Sequence, residues 1–246
     1  MKSIQQLTDD YPANSRHMGE YIAYQERYKT KPRESDKVLV QHLQARLRKK
    51  EPRIMDIGCS TGNLLRVVRT AFPDADLCGV DLNAEQIEHC RRDPSLHGIR
   101  FESMDIQALR GGPYDAVTCS AVVFCMDDES FQRAGRCIFE TLAPGGVFVC
   151  FDLFHPWEQD LAIVEKSRAF PEGLPLHFRS YASVTTLLQK AGFAKMEFHP
   201  FQIPIDLPKP DFNQITTFTE KLADGSRLQF RGCLSQPWNH LVAVRQ

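Results

Sequence analysis

Asp56, Gly58, Ser60 and Gly62 sit together in the stretch Ile-Met-Asp-Ile-Gly-Cys-Ser-Thr-Gly-Asn (54–63), where an apolar run breaks into small residues and then into a helical pattern. That order of residues is a strand, a tight turn and a helix start. The glycines let the backbone pass close to a ligand, and the first N–H groups of the following helix are left unpaired and pointing outward, so the turn can hold a polar group. The spacing Gly-x-x-x-Gly lacks both the Gly-x-Gly-x-x-Gly of dinucleotide sites and the Gly-Lys-Ser/Thr ending of a phosphate-gripping loop. A phosphate cradle is therefore not the first choice. The next apolar run ends Cys-Gly-Val-Asp at Asp81; a carboxylate at the end of a neighbouring strand can accept both hydroxyls of a ribose. Its alternative role is to cap the helical run that starts at Asn83. His155, in Phe-His-Pro-Trp (154–157), follows the carboxyl end of a central strand, where open α/β sheets place their ligands. An imidazole there suits a general base or an orienting group, the alternative being a hydrogen-bonded structural histidine.

The elements that must position these groups alternate regularly. Strands are expected over 53–57, 76–81, 99–103, 114–120 and 147–153, with helices over 63–72 and 128–142, the latter stopped by Leu-Ala-Pro-Gly-Gly. Such alternation predicts a doubly wound α/β domain whose sheet is mostly parallel, with right-handed crossovers. A helix over 181–191 closed by Gly192, a strand over 193–201 and a last strand over 238–244 follow. Between them, 216–222 and 227–233 flank Ala-Asp-Gly-Ser, a hairpin signal that can be a lid, a sheet extension or a contact in a homodimer. Ahead of the first strand the pattern predicts two helices. One covers about 14–28, with Tyr21, Tyr24 and Tyr28 on one face; the other follows Ser35 as its N-cap and carries Val40, Leu43 and Leu47.

Composition narrows the function classes. A chain of 246 residues, 42% hydrophobic, suits one α/β domain with insertions. Its formal net charge of −1 gives no basic footprint for a phosphate backbone, so nucleic acid is disfavoured as a partner. With no apolar leader and no stretch long enough for a bilayer, the sequence predicts a cytoplasmic chain without membrane attachment. Eight cysteines are scattered without a Cys-x-x-Cys pair, which argues for buried thiols and against disulfides or a metal cluster.

Through Asp56, Gly58 and Gly62 the turn resembles motif I of the class I S-adenosylmethionine-dependent methyltransferases, usually Asp-x-Gly-x-Gly-x-Gly, with Ser60 in place of the middle glycine. The resemblance runs continuously over 53–153. It implies a seven-stranded Rossmann-like sheet whose last strand lies antiparallel between strands five and six. It also implies that Asp81, with Leu82 beside it, holds the cofactor ribose, and that Asp105 accepts from the adenine amino group while Met104 or Ile106 packs on the ring. Ser120 then belongs to the cofactor wall, and Phe124 lies near the sulfonium or else in the core. In such enzymes a helical N-terminal extension covers the cofactor, which gives Tyr24 and Tyr28 either an acceptor or a packing role. Arg33 is likewise either a partner for the cofactor carboxylate or part of a solvated charge run, and Trp157 either an acceptor contact or packing.

The Asn/Asp-Pro-Pro-Tyr/Phe motif of enzymes acting on nucleobase or glutamine amides is absent after the fourth strand. The expectation is therefore a single domain over 1–246, with a helical cap at 1–52, a cofactor core at 53–153 and an acceptor-side segment at 154–246. It would transfer methyl from S-adenosylmethionine to an oxygen or nitrogen of a small molecule, releasing S-adenosylhomocysteine. His155 is the expected base. Two other classes stay open: a non-catalytic protein that binds the same cofactor, and a nicotinamide-dependent oxidoreductase, although position 63 is Asn where the latter needs a third glycine.

Overall fold

In the computed structural model, which describes Gln6 and residues 18–168 and 170–246, short apolar runs bounded by glycine or aspartate form the middle of a twisted sheet. These are β1 (Arg53–Ile57), β2 (Asp76–Asp81), β3 (Arg100–Ser103), β4 (Tyr114–Ser120) and β5 (Leu142–His155), all parallel. The later strands β8 (Lys195–Pro200) and β12 (Trp238–Val244) complete the order β3-β2-β1-β4-β5-β12-β8, in which β12 runs antiparallel to both neighbours. The expected seven-stranded doubly wound sheet is therefore present.

Helices cover both faces because their apolar residues recur at helical spacing. On one face lie α1 (Met18–Glu26), α2 (Glu34–Arg46), α3 (Asn63–Ala71) and α4 (Ala84–Arg92). From α2, α3 and α4, Leu39, Leu43, Leu65, Val68 and Ile87 pack into one core with Ile54, Leu77 and Val149. On the other face, α5 (Asp128–Thr141) and α6 (Tyr181–Ala191) bury Phe131, Ile138, Val184 and Leu188 against Val117, Phe148 and Leu241. Truncating a side chain as fully enclosed as Leu43 to alanine costs about 2–5 kcal/mol. The caps follow from sequence: Asn83 accepts from Glu85 N and Gln86 N, Asp127 from Ser130 N, and Gly192 closes α6 with a left-handed φ of 118°.

Two expectations need correction, and two further features go beyond them. The helix after Pro32 is capped by Arg33 backbone, not by Ser35, which is buried in the first turn of α2 and whose carbonyl meets His240 Nε2 at 3.1 Å. Strand β5 is longer than expected at both ends. A strand pair went unread: β6 (Leu161–Glu165) is antiparallel to β7 (Leu174–Ser180), and β7 joins the main sheet beside Phe154 and His155. The C-terminal hairpin, β9 (Thr217–Lys221) and β10 (Arg227–Arg231), adds β11 (Leu234–Ser235) and forms a separate three-stranded sheet, so it does not extend the main one. The first four residues of the helix expected over 14–28 lie outside the described residues.

Candidate functional site

The turn after β1 is built from backbone conformations that few side chains tolerate. Gly58 has φ 66° and Gly62 φ 73°; a Cβ on Gly58 would lie 2.4 Å from Val122 Cγ2. Ser60 adopts φ 50° despite its side chain, a conformation that costs about 1–3 kcal/mol and persists only when its surroundings hold it. Here three contacts do so. Its N–H donates to Asp81 Oδ2 at 2.9 Å, its Oγ meets the Tyr21 hydroxyl at 2.9 Å, and its carbonyl accepts from the Cys90 thiol. Gly62 is the N-cap of α3 and offers no side-chain cap, so the first N–H groups of that helix are available to a polar ligand.

Asp81 stands at the end of β2 with Oδ1 accepting from Asn83 N at 2.9 Å. Because Asn83 is the N-cap of α4, the capping role considered for Asp81 falls away. Burial pushes its carboxyl above the usual range, against the backbone N–H groups of Asn83, Ser60 and Leu82, which favour the ionised form. Asp56, inside β1, is pushed up to about 8, chiefly by burial, while the Thr118 hydroxyl donating to it at 2.8 Å and the nearby Asp36 and Asp81 act on it more weakly. Asp105 accepts from Gln107 N at 2.8 Å and caps the short turn that carries Ile106.

Around these groups lies a cavity of about 720 Å3, towards the upper end of the roughly 300–1,000 Å3 typical of ligand pockets. Its wall includes Arg33, Asp56, Gly58, Ser60, Asp81, Leu82, Asp105, Ile106 and Ser120, together with Tyr24 and Tyr28. The expected cofactor residues and the two tyrosines are thus brought together, with Gly62 just behind the wall as the cap. Two buried atoms on that wall, Thr61 Oγ1 and Gln86 Oε1, have no hydrogen-bond partner among the described residues. Buried polar atoms are rarely left so, and these two suit a ligand rich in hydroxyl, ammonium and carboxylate groups.

Helix α1 closes one side through polar contacts. Asn63 Nδ2 donates to the Gln25 carbonyl at 3.0 Å, Arg33 donates to Gln25 Oε1 at 2.5 Å, and the Arg33 guanidinium lies 3.8 Å from the Tyr28 ring centre. The Lys29 ammonium sits 2.8 Å from Asp93, which Arg66 also holds at 2.6 Å. Glu26, His89 and Asp93 bring ligand atoms within 4.8 Å of one another, a convergence that no local spacing announced. Asp36, buried on the cavity wall, is pushed up to about 6 by burial despite the Arg33 charge. Neither Gln25 nor Asp36 was singled out from sequence, since each belongs to a stretch that reads as an ordinary polar helix.

Three expected residues lie elsewhere. His155 is only 4% exposed, because β7 pairs alongside it and turns the expected loop into sheet interior; it is not on the cavity wall. Phe124 packs between the main core and the cluster around Phe178. Trp157, 71% exposed, is not on the cavity wall. The turn that carries Phe124 is instead fixed from beneath. Asp152 accepts from Val122 N at 3.0 Å and Val123 N at 2.8 Å, and buried Arg179 donates to the carbonyls of Val123 and Met126. The far end of the cavity is formed by Phe201, Ile203, Ile205, Leu207 and Trp238, with Thr217 and Gln229 reaching in from the hairpin. That irregular, proline-bearing segment lies within the acceptor-side region expected over 154–246, although none of its residues is singled out by sequence.

A family model described as a methyltransferase domain matches residues 24–197, from α1 to β8. The malonyl-[acyl-carrier protein] O-methyltransferase of Halalkalibacterium halodurans is 32% identical over 148 residues, 53% of this chain and 55% of that protein. The ubiquinone/menaquinone biosynthesis C-methyltransferase of Desulfotalea psychrophila is 25% identical over 156 residues, 63% of this chain and 62% of that protein. The chain therefore spans somewhat more than half the length of these curated relatives. Among solved structures, a SAM-dependent methyltransferase of Methanosarcina mazei superposes with a TM-score of 0.59 at 15% identity, over 83% of this chain and 96% of that one.

Proposed function

The chain belongs to the class I S-adenosylmethionine-dependent methyltransferases, and we propose that it transfers the methyl group of that cofactor to an oxygen or nitrogen of a small-molecule acceptor. The observation that carries this reading is Asp81, held by Ser60 N and Asn83 N beside the Gly58–Gly62 turn on the wall of a cavity large enough for two ligands. The family match removes the nicotinamide-dependent alternative.

In this reading Asp81 accepts the ribose hydroxyls, with Leu82 and Gln86 beside it. Asp105 accepts from the adenine amino group, and Ile106 packs against the ring. The small residues at 58, 60 and 62 admit the methionine part of the cofactor to the α3 N-terminus. Arg33 answers its carboxylate, and Asp36 and Asp56 meet its ammonium group. Ser120 lines the path towards the acceptor.

When bound, the cofactor supplies a methyl group already activated by its sulfonium. The chain's own work is then to hold the acceptor in line, keep water out and take up a proton where the acceptor must lose one. Tyr24 and Tyr28, whose hydroxyls meet at 3.0 Å on the cavity wall, are the groups best situated to touch the acceptor. Tyr24 is pushed up to about 12, mainly by burial and then by Tyr28, so it serves as a hydrogen-bond donor and not as a base at neutral pH. His155 has no part in this reading.

The relatives named above are an O-methyltransferase of malonyl-[acyl-carrier protein] and a C-methyltransferase of ubiquinone/menaquinone biosynthesis, so their names leave the acceptor of this chain open. Among the described residues no helix is long and apolar enough to cross a membrane. The reading is tested by incubating the protein with methyl-labelled cofactor and a metabolite extract. Label appearing in a discrete small molecule supports it. Cofactor binding without label transfer to any metabolite would favour a non-catalytic binding protein instead.

A further inference from the structure

The wall of the cavity is unevenly charged. Among the described residues of its wall the charged groups are one cation, Arg33, and five carboxylates: Glu34, Asp36, Asp56, Asp81 and Asp105. Asp56, Asp81 and Asp105 belong to the stretches around the cofactor turn, and Arg33, Glu34 and Asp36 to the start of α2, whose Ser35 carbonyl meets His240, itself in ring contact with Phe151 and Phe201. Arg33 is already engaged, donating to Gln25 Oε1 and lying 3.9 Å from Asp36. At the far end the wall is Phe201, Ile203, Ile205, Leu207 and Trp238, with the neutral side chains of Thr217 and Gln229 opposite. The nearby Arg231 does not reach the wall; it is held by both oxygens of Glu165, at 2.8 and 3.0 Å, a pair that ties β10 to β6.

The aromatic part of this end is itself ordered. Trp238 stacks on Phe151 with ring centres 4.8 Å apart and an interplanar angle of 14°, and Phe201 meets Phe151 edge-on at 5.2 Å. Such an arrangement presents flat apolar faces, and two neutral polar groups suffice to orient one hydroxyl or amide. An anion brought here loses its hydration and finds no free cation among the described residues of the wall.

Resting on the methyl-transfer reading above, we infer that the acceptor is an uncharged, largely apolar ring-bearing molecule. It is held between the Phe201–Trp238 face and the Ile203–Leu207 segment, and carboxylate acceptors are excluded. Ile205 is the residue whose substitution reads this out, because it is 38% exposed and tolerates a longer side chain without loss of the core.

The test uses the full chain saturated with S-adenosylhomocysteine, whose binding is first established by calorimetry. Equilibrium dialysis then compares 2-naphthol and 2-naphthoate, probes of nearly one shape that differ in charge. The expected result is that naphthol binds at least about tenfold more tightly. Naphthoate binding as tightly as naphthol, or neither probe binding to the loaded protein, overturns the inference while leaving the cofactor reading intact. Failure to bind S-adenosylhomocysteine at all overturns that reading and this one together. In Ile205→Arg the new cation should narrow the ratio to about threefold or less. An unchanged ratio in a variant that still binds S-adenosylhomocysteine would show that the acceptor does not lie at this end.

Discussion

The backbone N–H of Ser60 donates to Asp81 Oδ2 at 2.9 Å, and this bond ties the strained turn after β1 to the carboxylate at the end of β2. One contact thus does two things. It helps keep a non-glycine residue at φ 50°, and it aims the second carboxylate oxygen while leaving lone pairs free for a ligand.

Gly58→Ala tests the turn itself. The added Cβ meets Val122 Cγ2 at 2.4 Å and the residue must keep φ 66°, so both crowding and backbone strain oppose it. Thermal unfolding should show a loss of about 1–3 kcal/mol, and adding Val122→Ala should recover only the crowding part. A single variant as stable as the wild type would mean that the turn is freer than its dihedral angles imply.

Tyr21→Phe tests the closure of α1. Its hydroxyl, which burial pushes to a higher pKa, bonds Ser60 Oγ at 2.9 Å across 39 residues of sequence. Losing one such bond should cost about 0.5–1.5 kcal/mol, read as faster amide exchange over residues 21–26 and a cofactor affinity lower by about three- to tenfold. Unchanged exchange in that helix would mean that the Gln25–Asn63 and Lys29–Asp93 contacts hold it alone.

Much of this architecture was legible before any coordinates, and the reasons are local. The bounds of β1, β2, β4, α6 and β12 follow from glycine, aspartate and serine punctuation around apolar runs, as at Cys-Gly-Val-Asp before Asp81. What could not be read depends on pairing at a distance. The segment Leu174–Ser180, which carries Pro175, pairs with β5 only at Phe154 and His155 and with β6 on its other side. That pairing is what buries His155, so a histidine expected in a ligand-facing loop became part of the sheet. Arg179 is a similar case, buried at 2% exposure and bonded to carbonyls more than fifty residues away.

His155→Gln should accordingly leave cofactor affinity and turnover within about twofold of the wild type, because the residue does not line the cavity. A fall in turnover by a factor of about 10² or more with unchanged folding would restore the catalytic role.

Stability should depend on pH through Asp56. Its folded pKa, pushed to about 8 by burial, lies above that of the unfolded chain, so the folded state binds the proton more tightly. The stabilisation is fully present below about pH 4 and is lost as pH rises towards 8. Below pH 6.5 other groups intervene. His42 and His240, lowered to about 4 mainly by burial, make the folded state lose stability as pH falls through that range. Asp36 and Asp152, raised to about 6 by burial, act in the opposite sense. The clean window is therefore pH 6.5 to 8, where urea unfolding should show stability falling as pH rises and Asp56→Asn should flatten the fall. A wild-type curve that is level across this window would mean that Asp56 is ionised throughout.

The central claim, that Asp81 holds the ribose of the cofactor, is tested most directly by calorimetric titration of S-adenosylmethionine and S-adenosylhomocysteine into the wild type and Asp81→Ala. Removing a charged acceptor of two hydroxyl hydrogen bonds should weaken both ligands by on the order of 2 to 4 kcal/mol, with the variant still folded by circular dichroism. Equal affinities in the two proteins would remove Asp81 from the site and contradict the account.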